Sequence, residues 1–197
     1  MNKTERILAA DYRRINNGDT DLETVQRNRQ SNDRGRNFEN LLMKGAQHYA
    51  LNEIAIINKV YEPYICLKLQ DNGKFTGRFT GRAEPDFKGV LKGGRAIAFE
   101  AKSTQKDKMF QSVLTSEQSQ WLDEQNAMGA VTYVCINIKN KFYTLPWFIW
   151  KNMKEKYGRK YITPEDIYMY EVIFDGSVRF LEYKNGATIT KVGVTLW

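Results

Sequence analysis

Three charged residues lie in two strand-like stretches of the sequence, and they constrain the fold more than any other feature. A strand over residues 95–102 places Glu100 and Lys102 on one face, because side chains alternate across a strand. The preceding apolar stretch begins at Asp86, and Gly93-Gly94 between the two stretches predicts a tight turn. The resulting antiparallel hairpin brings Asp86 beside Glu100 and Lys102.

Two carboxylates and one ammonium group in this arrangement indicate a chemical site. Two acids held close together repel each other unless one is protonated or a cation lies between them. Oxygen ligands around an open position suit Mg²⁺ or Mn²⁺. Asp86 and Glu100 are therefore candidate metal ligands, and Lys102 is a candidate catalytic group. The alternative is a surface hairpin that carries one Glu/Lys pair.

The rest of the chain predicts an α/β protein with a mixed central sheet flanked by helices. Apolar periodicity predicts one helix, and a capping box of Thr115 with Gln118 predicts the start of another. The predicted helices span 36–51, 115–128 and 147–157, and the predicted strands span 55–69 (one strand or a pair), 86–91, 95–102, 130–138 and 141–145, with a final hairpin over 171–183.

Two segments fall outside this core. Residues 1–33 predict an N-terminal arm, with a short helix over 4–17 and a linker over 19–34, whereas residues 34–197 form the main domain. The Gly-rich, basic residues 70–84 predict a short protruding hairpin.

Charge favours a nucleic-acid partner. The 197 residues include 30 Lys and Arg against 23 Asp and Glu, a formal net charge of +7, and the basic residues cluster. His48 is the only histidine, which excludes nuclease chemistries that need two. No apolar run is long enough to span a bilayer, and we expect a cytoplasmic protein. The candidate DNA-binding residues are Arg34, Arg36, Lys74, Arg78, Arg82, Lys151 and Lys154.

The sequence Pro85-Asp86, followed after the turn by Glu100-Ala101-Lys102, resembles the core of the PD-(D/E)xK nucleases. This resemblance implies a restriction-endonuclease-like core in which the carbonyl of Ala101 joins the two acids as a metal ligand. It also implies a role for Glu39, because members of this superfamily often place one more acid on the first helix. Glu39 could instead be a solvated helix acid.

Three stretches resemble one family in particular, the RecU Holliday junction resolvases and their phage relatives. They are "DRGRNFE" at 33–39, "DFKGVLKGGRAIAFEAKST" at 86–104 and "SEQSQWLDEQNAMGAVTYVCINI" at 116–138. Gln118 stands at the glutamine position of the family's His-Gln helix, although the capping box alone could explain it, and Glu117 replaces the histidine. The 70–84 protrusion is shorter than the family's stalk.

The resemblance implies a Mg²⁺-dependent endonuclease, with Mn²⁺ as a substitute, that resolves four-way DNA junctions by paired symmetric nicks and leaves 5′-phosphate ends. The expected catalytic residues are Glu39, Asp86, Glu100, Lys102 and Gln118. We expect a homodimer on branched DNA, in a bacterial cell or a phage-infected host. The alternatives are another PD-(D/E)xK nuclease, VRR-NUC-like or sequence-specific, and a DNA-binding module without catalysis.

Overall fold

A computed structural model of the protein describes residues 22–61, 64–70, 74–79, 84–185, 188–190 and 193–195. The predicted helix over 4–17, part of the protrusion predicted over 70–84 and the candidate DNA-binding residue Arg82 lie outside these ranges.

Four α-helices lie in the described part of the chain: α1 (Leu22–Leu51), α2 (Ser116–Ala127), α3 (Trp147–Lys151) and α4 (Met153–Tyr157). The linker predicted over 19–34 is therefore wrong from Leu22 on, where α1 begins. Residues 22–34 lack an apolar stripe but contain no Gly or Pro, the residues that most oppose a helix. The helix predicted over 147–157 is two short helices separated at Asn152.

The chain divides into two units within α1, Met1–Asn37 and Phe38–Trp197. The domain boundary that the sequence placed after residue 33 stays a prediction. No helix in the described ranges is both long enough and apolar enough to span a lipid bilayer.

A mixed five-stranded sheet forms the centre of the second unit. Its order is β1-β4-β5-β7-β8, in which β5 and β7 are parallel and the other neighbours are antiparallel. The predicted α/β class, with a mixed central sheet and flanking helices, is confirmed. These strands are β1 (Ala55–Lys59), β4 (Phe87–Leu91), β5 (Ala96–Thr104), β7 (Val131–Ile138) and β8 (Lys141–Pro146).

The other strands form smaller sheets. The pair β2 (Tyr64–Leu69) and β3 (Phe75–Phe79) is a separate antiparallel ribbon. Its second strand lies within the protrusion predicted over 70–84, whereas β2 lies in the stretch 55–69 that was predicted as one strand or a pair. The predicted hairpin over 171–183 corresponds to the first two strands of a four-stranded sheet. The remaining strands are β6 (Met109–Phe110), β9 (Tyr161–Ile162), β10 (Val172–Phe174), β11 (Val178–Tyr183), β12 (Thr188–Thr190) and β13 (Gly193–Thr195).

Aromatic rings fix one face of the central sheet. Phe87, Phe99 and Tyr133 stack across β4, β5 and β7, with ring centroids 4.8 and 4.6 Å apart. Phe180 of β11 contacts Phe99 from the second sheet, and Tyr49 of α1 packs edge-on against Phe180. Because this face is filled by rings, the charged side chains of β5 lie on the opposite face.

A glycine sets the distance between α1 and the second sheet. A Cβ added to Gly45 would lie 2.1 Å from the carbonyl oxygen of Val178 on β11. The neighbour is main chain and cannot rotate away, so only glycine permits this approach.

Candidate active site

The hairpin of β4 and β5 brings the predicted acids together. Phe87 pairs with Phe99 in the β4–β5 register, so that Asp86, directly before β4, lies level with Glu100. Gly93 and Gly94 have φ angles of 93° and 89°, left-handed values that glycine adopts without steric cost.

Hydrogen bonds hold Asp86, Glu100 and Lys102 in one cluster. The amide N–H of Ala101 donates to Asp86 Oδ2 at 2.8 Å, which ties the aspartate to β5. Lys102 Nζ donates to Glu100 Oε2 at 2.9 Å and lies 3.9 Å from Asp86 Oδ2. The two carboxylates and the ammonium group converge as the sequence predicts.

Glu100 is the most unusual group in this cluster. Its side chain is fully buried, and Oε1 has no hydrogen-bond partner among the described residues. Burial, followed by the charge of Asp86, raises the pKa of Glu100 to about 8, although Lys102 acts in the opposite direction. A buried carboxylate of this kind requires a further positive charge before it can remain ionised at neutral pH.

Gln118 connects this cluster to the start of α2. Its side-chain Oε1 accepts from the main-chain N–H of Thr115 at 3.2 Å, and its main-chain N–H donates to Thr115 Oγ1. The predicted capping box is therefore present. Its Nε2 donates to Glu100 Oε2 at 2.7 Å. The two interpretations of Gln118 are therefore compatible, because one carboxamide caps the helix and contacts the site.

Glu39 makes a different interaction. Its carboxylate pairs with the ammonium group of Lys59 on β1, and both side chains are about one quarter exposed. In the described part of the chain, no three His, Cys, Asp or Glu side chains group closely enough to hold a metal ion. The role of Glu39 as a ligand stays a prediction.

The candidate DNA-binding residues lie on several elements. Lys74 and Arg78 are exposed on the ribbon of β2 and β3. Arg36 pairs with Asp33 at 2.6 Å within α1, and its neighbour Arg34 lies on the same helix. Lys151 Nζ donates to Asp123 Oδ1 at 2.8 Å, and Lys154 is exposed on α4. Their contact with DNA stays a prediction.

Two lysines near the acids were missed by the sequence reasoning. Lys59 neutralises Glu39, and Lys88 pairs with Glu84 beside the hairpin. No spacing in the sequence marks the first pair, because its members lie on α1 and β1. Alternation along β4 does place Lys88 on the face of Asp86, and this signal was available.

One comparison with known proteins, the match to a family model, agrees with these motifs. The model of the recombination protein U family (RecU) matches residues 33–186. No curated protein matches the chain. Among solved structures, Hjc, a Holliday junction resolvase from the archaeal hyperthermophile Archaeoglobus fulgidus, is similar at 16% identity and a TM-score of 0.38. That match covers 59% of this chain and 75% of Hjc. Since the family model spans most of the sequence, the chain belongs to the RecU family of Holliday junction resolvases.

Proposed function

We propose that this protein is a divalent-metal-dependent endonuclease that resolves four-way DNA junctions at the cluster of Asp86, Glu100 and Lys102. The observation that carries the assignment is Glu100, a buried acid beside a second acid, with one oxygen unpartnered among the described residues. A side chain placed in this way destabilises the fold unless a ligand compensates it.

The donor set fits Mg²⁺ or Mn²⁺. Magnesium in phosphate-handling sites is commonly held by one or two carboxylates, with water and substrate phosphate as the other ligands. Asp86 and Glu100 supply two carboxylates, and the main-chain carbonyl of Ala101 is the third proposed ligand. Glu39 would ligate directly or through water, in exchange for its pairing with Lys59.

The bound cation and two side chains, Lys102 and Gln118, would have different roles in cleavage. A bound divalent cation would stabilise negative charge at the scissile phosphate and acidify a water molecule. Lys102 lies within reach of both acids. Its ammonium group can orient the attacking water and offset charge on the phosphorus, whereas its neutral amine form can accept a proton from that water. Gln118, held by the helix start, can position water or phosphate with the amide that now contacts Glu100.

Resolution of a junction also requires an assembly. Two symmetric nicks in strands of like polarity call for two equivalent sites, and the described part of one chain carries one such cluster. We therefore propose a homodimer on branched DNA, in the cytoplasm of a bacterial cell or a phage-infected host. The exposed basic residues Lys74 and Arg78 on the ribbon would contact the junction phosphates.

The test separates cleavage from binding. Asp86→Asn and Glu100→Gln each remove a charge that the cation needs, so junction cleavage should fall on the order of a hundredfold or more. DNA affinity should stay near that of the wild type. Asp107→Asn is the matched control, because Asp107 is an exposed acid paired with Lys139 outside the cluster.

Rates are measured on a four-way junction and on a linear duplex that contains the same arms. The wild type should cleave the junction in preference to the duplex. A Glu100→Gln variant that keeps more than a tenth of the wild-type rate in Mg²⁺ would show that the site is assigned wrongly. Equal cleavage of duplex and junction would make the protein a nuclease without junction selectivity.

A further inference from the structure

A groove adjoins the proposed active site on the same face of the central sheet. Its volume is about 420 Å³, within the roughly 300–1,000 Å³ range of ligand pockets in general. The strand pair β4–β5 forms its floor and α2 forms one wall. Its lining includes Lys88, Ala96, Ala98, Trp121 and Gln125.

The groove is lined by residues that neighbour the proposed catalytic cluster along β5 and α2. Ala98 precedes Glu100 by two residues on β5, so the two share a face and lie about 7 Å apart along the strand. On α2, Trp121 and Gln125 follow Gln118 by three and seven residues, which places all three on one side of the helix. A DNA strand with its scissile phosphate at Glu100 would therefore place its neighbouring nucleotide at this groove.

The lining is suited to a nucleobase. Ala96 and Ala98 are small, so they make the floor apolar and leave space above it, and the indole of Trp121 is only partly buried. Within the described ranges, the Gln125 carboxamide and the Trp121 indole N–H have no hydrogen-bond partner, unlike Gln118, Gln120 and Trp147. Aromatic rings stack on bases, and a glutamine carboxamide can donate to and accept from a base edge.

A phosphate group fits the groove less well. Lys88 is the cationic side chain in its lining, and Lys88 already pairs with Glu84. The neutral carboxamide and ring therefore face a space with little net positive charge, which favours an uncharged, flat ligand.

We propose that this groove holds the base of a nucleotide adjacent to the scissile phosphate, with Trp121 stacking on it and Gln125 hydrogen-bonding to its edge. The two residues thereby set the base preference of cleavage at one position. This inference rests on the proposed nuclease function, because it takes the scissile phosphate to lie at Glu100.

The first experiment measures cleavage of four-way junctions in which each base next to the nick is varied in turn. The wild type should favour one base at one position by roughly 10- to 100-fold, the usual discrimination of a good amide–base contact. Gln125→Ala should reduce this ratio to about threefold or less at that position only. The matched control is Gln120→Ala, because the Gln120 carboxamide bonds to Glu124 on the exposed side of α2.

A second variant approaches the groove from the sheet. Ala96→Ile fills the floor at an exposed strand position and leaves α2 unchanged. It should lower the preference in the same way as Gln125→Ala, with an unaltered thermal unfolding midpoint. Wild-type cleavage without any base preference, or a preference that both variants retain, would overturn the inference while the nuclease function stands.

A binding measurement tests the stacking of a base on Trp121 without a cleavage step. The junction carries 2-aminopurine at the position next to the nick, and the protein is added in EDTA. Stacking on Trp121 should quench the fluorescence of the base analogue, and Trp121→Leu should abolish the quenching with junction affinity reduced less than tenfold. Equal quenching by the wild type and Trp121→Leu overturns the inference, whereas a wild type that cleaves no junction overturns the nuclease proposal on which the inference rests.

Discussion

Replacing either of two buried tyrosines, Tyr49 or Tyr133, by phenylalanine should have different effects on the stability of the protein. Tyr49 is fully buried, and its hydroxyl oxygen accepts a hydrogen bond from the amide N–H of Leu181 at 3.0 Å. Tyr133 is equally buried, but its hydroxyl has no partner among the described residues. Replacing each by phenylalanine removes one oxygen and keeps the ring.

The Tyr49→Phe variant should lose stability. The ring contact with Phe180, at 5.0 Å between centroids, is retained, so the change isolates the hydroxyl group. It leaves the N–H of Leu181 buried without an acceptor, which costs about 1–3 kcal/mol. Burial raises the pKa of Tyr49 well above its ordinary value, so the hydroxyl is neutral throughout the neutral pH range.

The Tyr133→Phe variant should keep or gain stability. Its ring stacks on Phe99 at 4.6 Å, and phenylalanine preserves this contact. Removing a hydroxyl that is desolvated without a hydrogen bond relieves a penalty, so we expect a change between zero and about 1 kcal/mol in favour of folding.

Urea unfolding of the two variants and the wild type, followed by far-UV circular dichroism at pH 7, measures both free energies. The m-values should agree, because the surface buried on folding hardly changes. Equal losses in the two variants would refute the reasoning, since they would show that ring packing or a shared relaxation, and not hydrogen-bond pairing, determines the outcome.

Three further predictions concern packing, DNA binding and assembly. Gly45→Ala should destabilise the protein by about 1–3 kcal/mol in thermal or urea unfolding, because the new Cβ meets main chain. Gly35→Ala on the same helix, with open space around it, should stabilise the protein by about 0.5–1 kcal/mol. Equal effects of the two substitutions would contradict the close approach at Gly45. Junction affinity should fall with salt at a log–log slope of about −0.9 per phosphate contact, and a slope near zero would remove nucleic acid as the partner. Light scattering should report about twice the 23.0 kDa chain mass, and heterodimers with Asp86→Asn should nick a junction once without resolving it; a monomer that resolves junctions would exclude the dimer.

The cluster of Asp86, Glu100 and Lys102 was predictable because residues close together in the sequence determine it. Period-two alternation assigns Glu100 and Lys102 to one face, and the two turn glycines fix where the chain reverses. From these two facts alone Asp86 must lie beside Glu100. The contact between Gln118 and Glu100 needed one more step, a helix start that the capping box already marks.

Features that depend on several elements were not predictable in this way. The early start of α1 was missed because Leu22 to Arg34 lacks the apolar period on which helix prediction relies. The Glu39–Lys59 pair joins a helix to an edge strand, and no sequence pattern in either segment indicates its partner. The groove beside the cluster results partly from the absence of large side chains on its floor, since Ala96 and Ala98 are too small to fill the space under α2.

The double use of Gln118 restricts which residues evolution can place at this position. A helix start of this type accepts glutamate as readily as glutamine at the third residue. Here glutamate would add a third carboxylate to the cluster, beside buried Glu100 and its neighbour Asp86, and would lose the N–H that donates to Glu100. Shorter polar residues would satisfy neither Thr115 nor Glu100. A saturation library at residue 118 should therefore retain glutamine almost alone when selected for activity, but should admit other residues when selected only for folding.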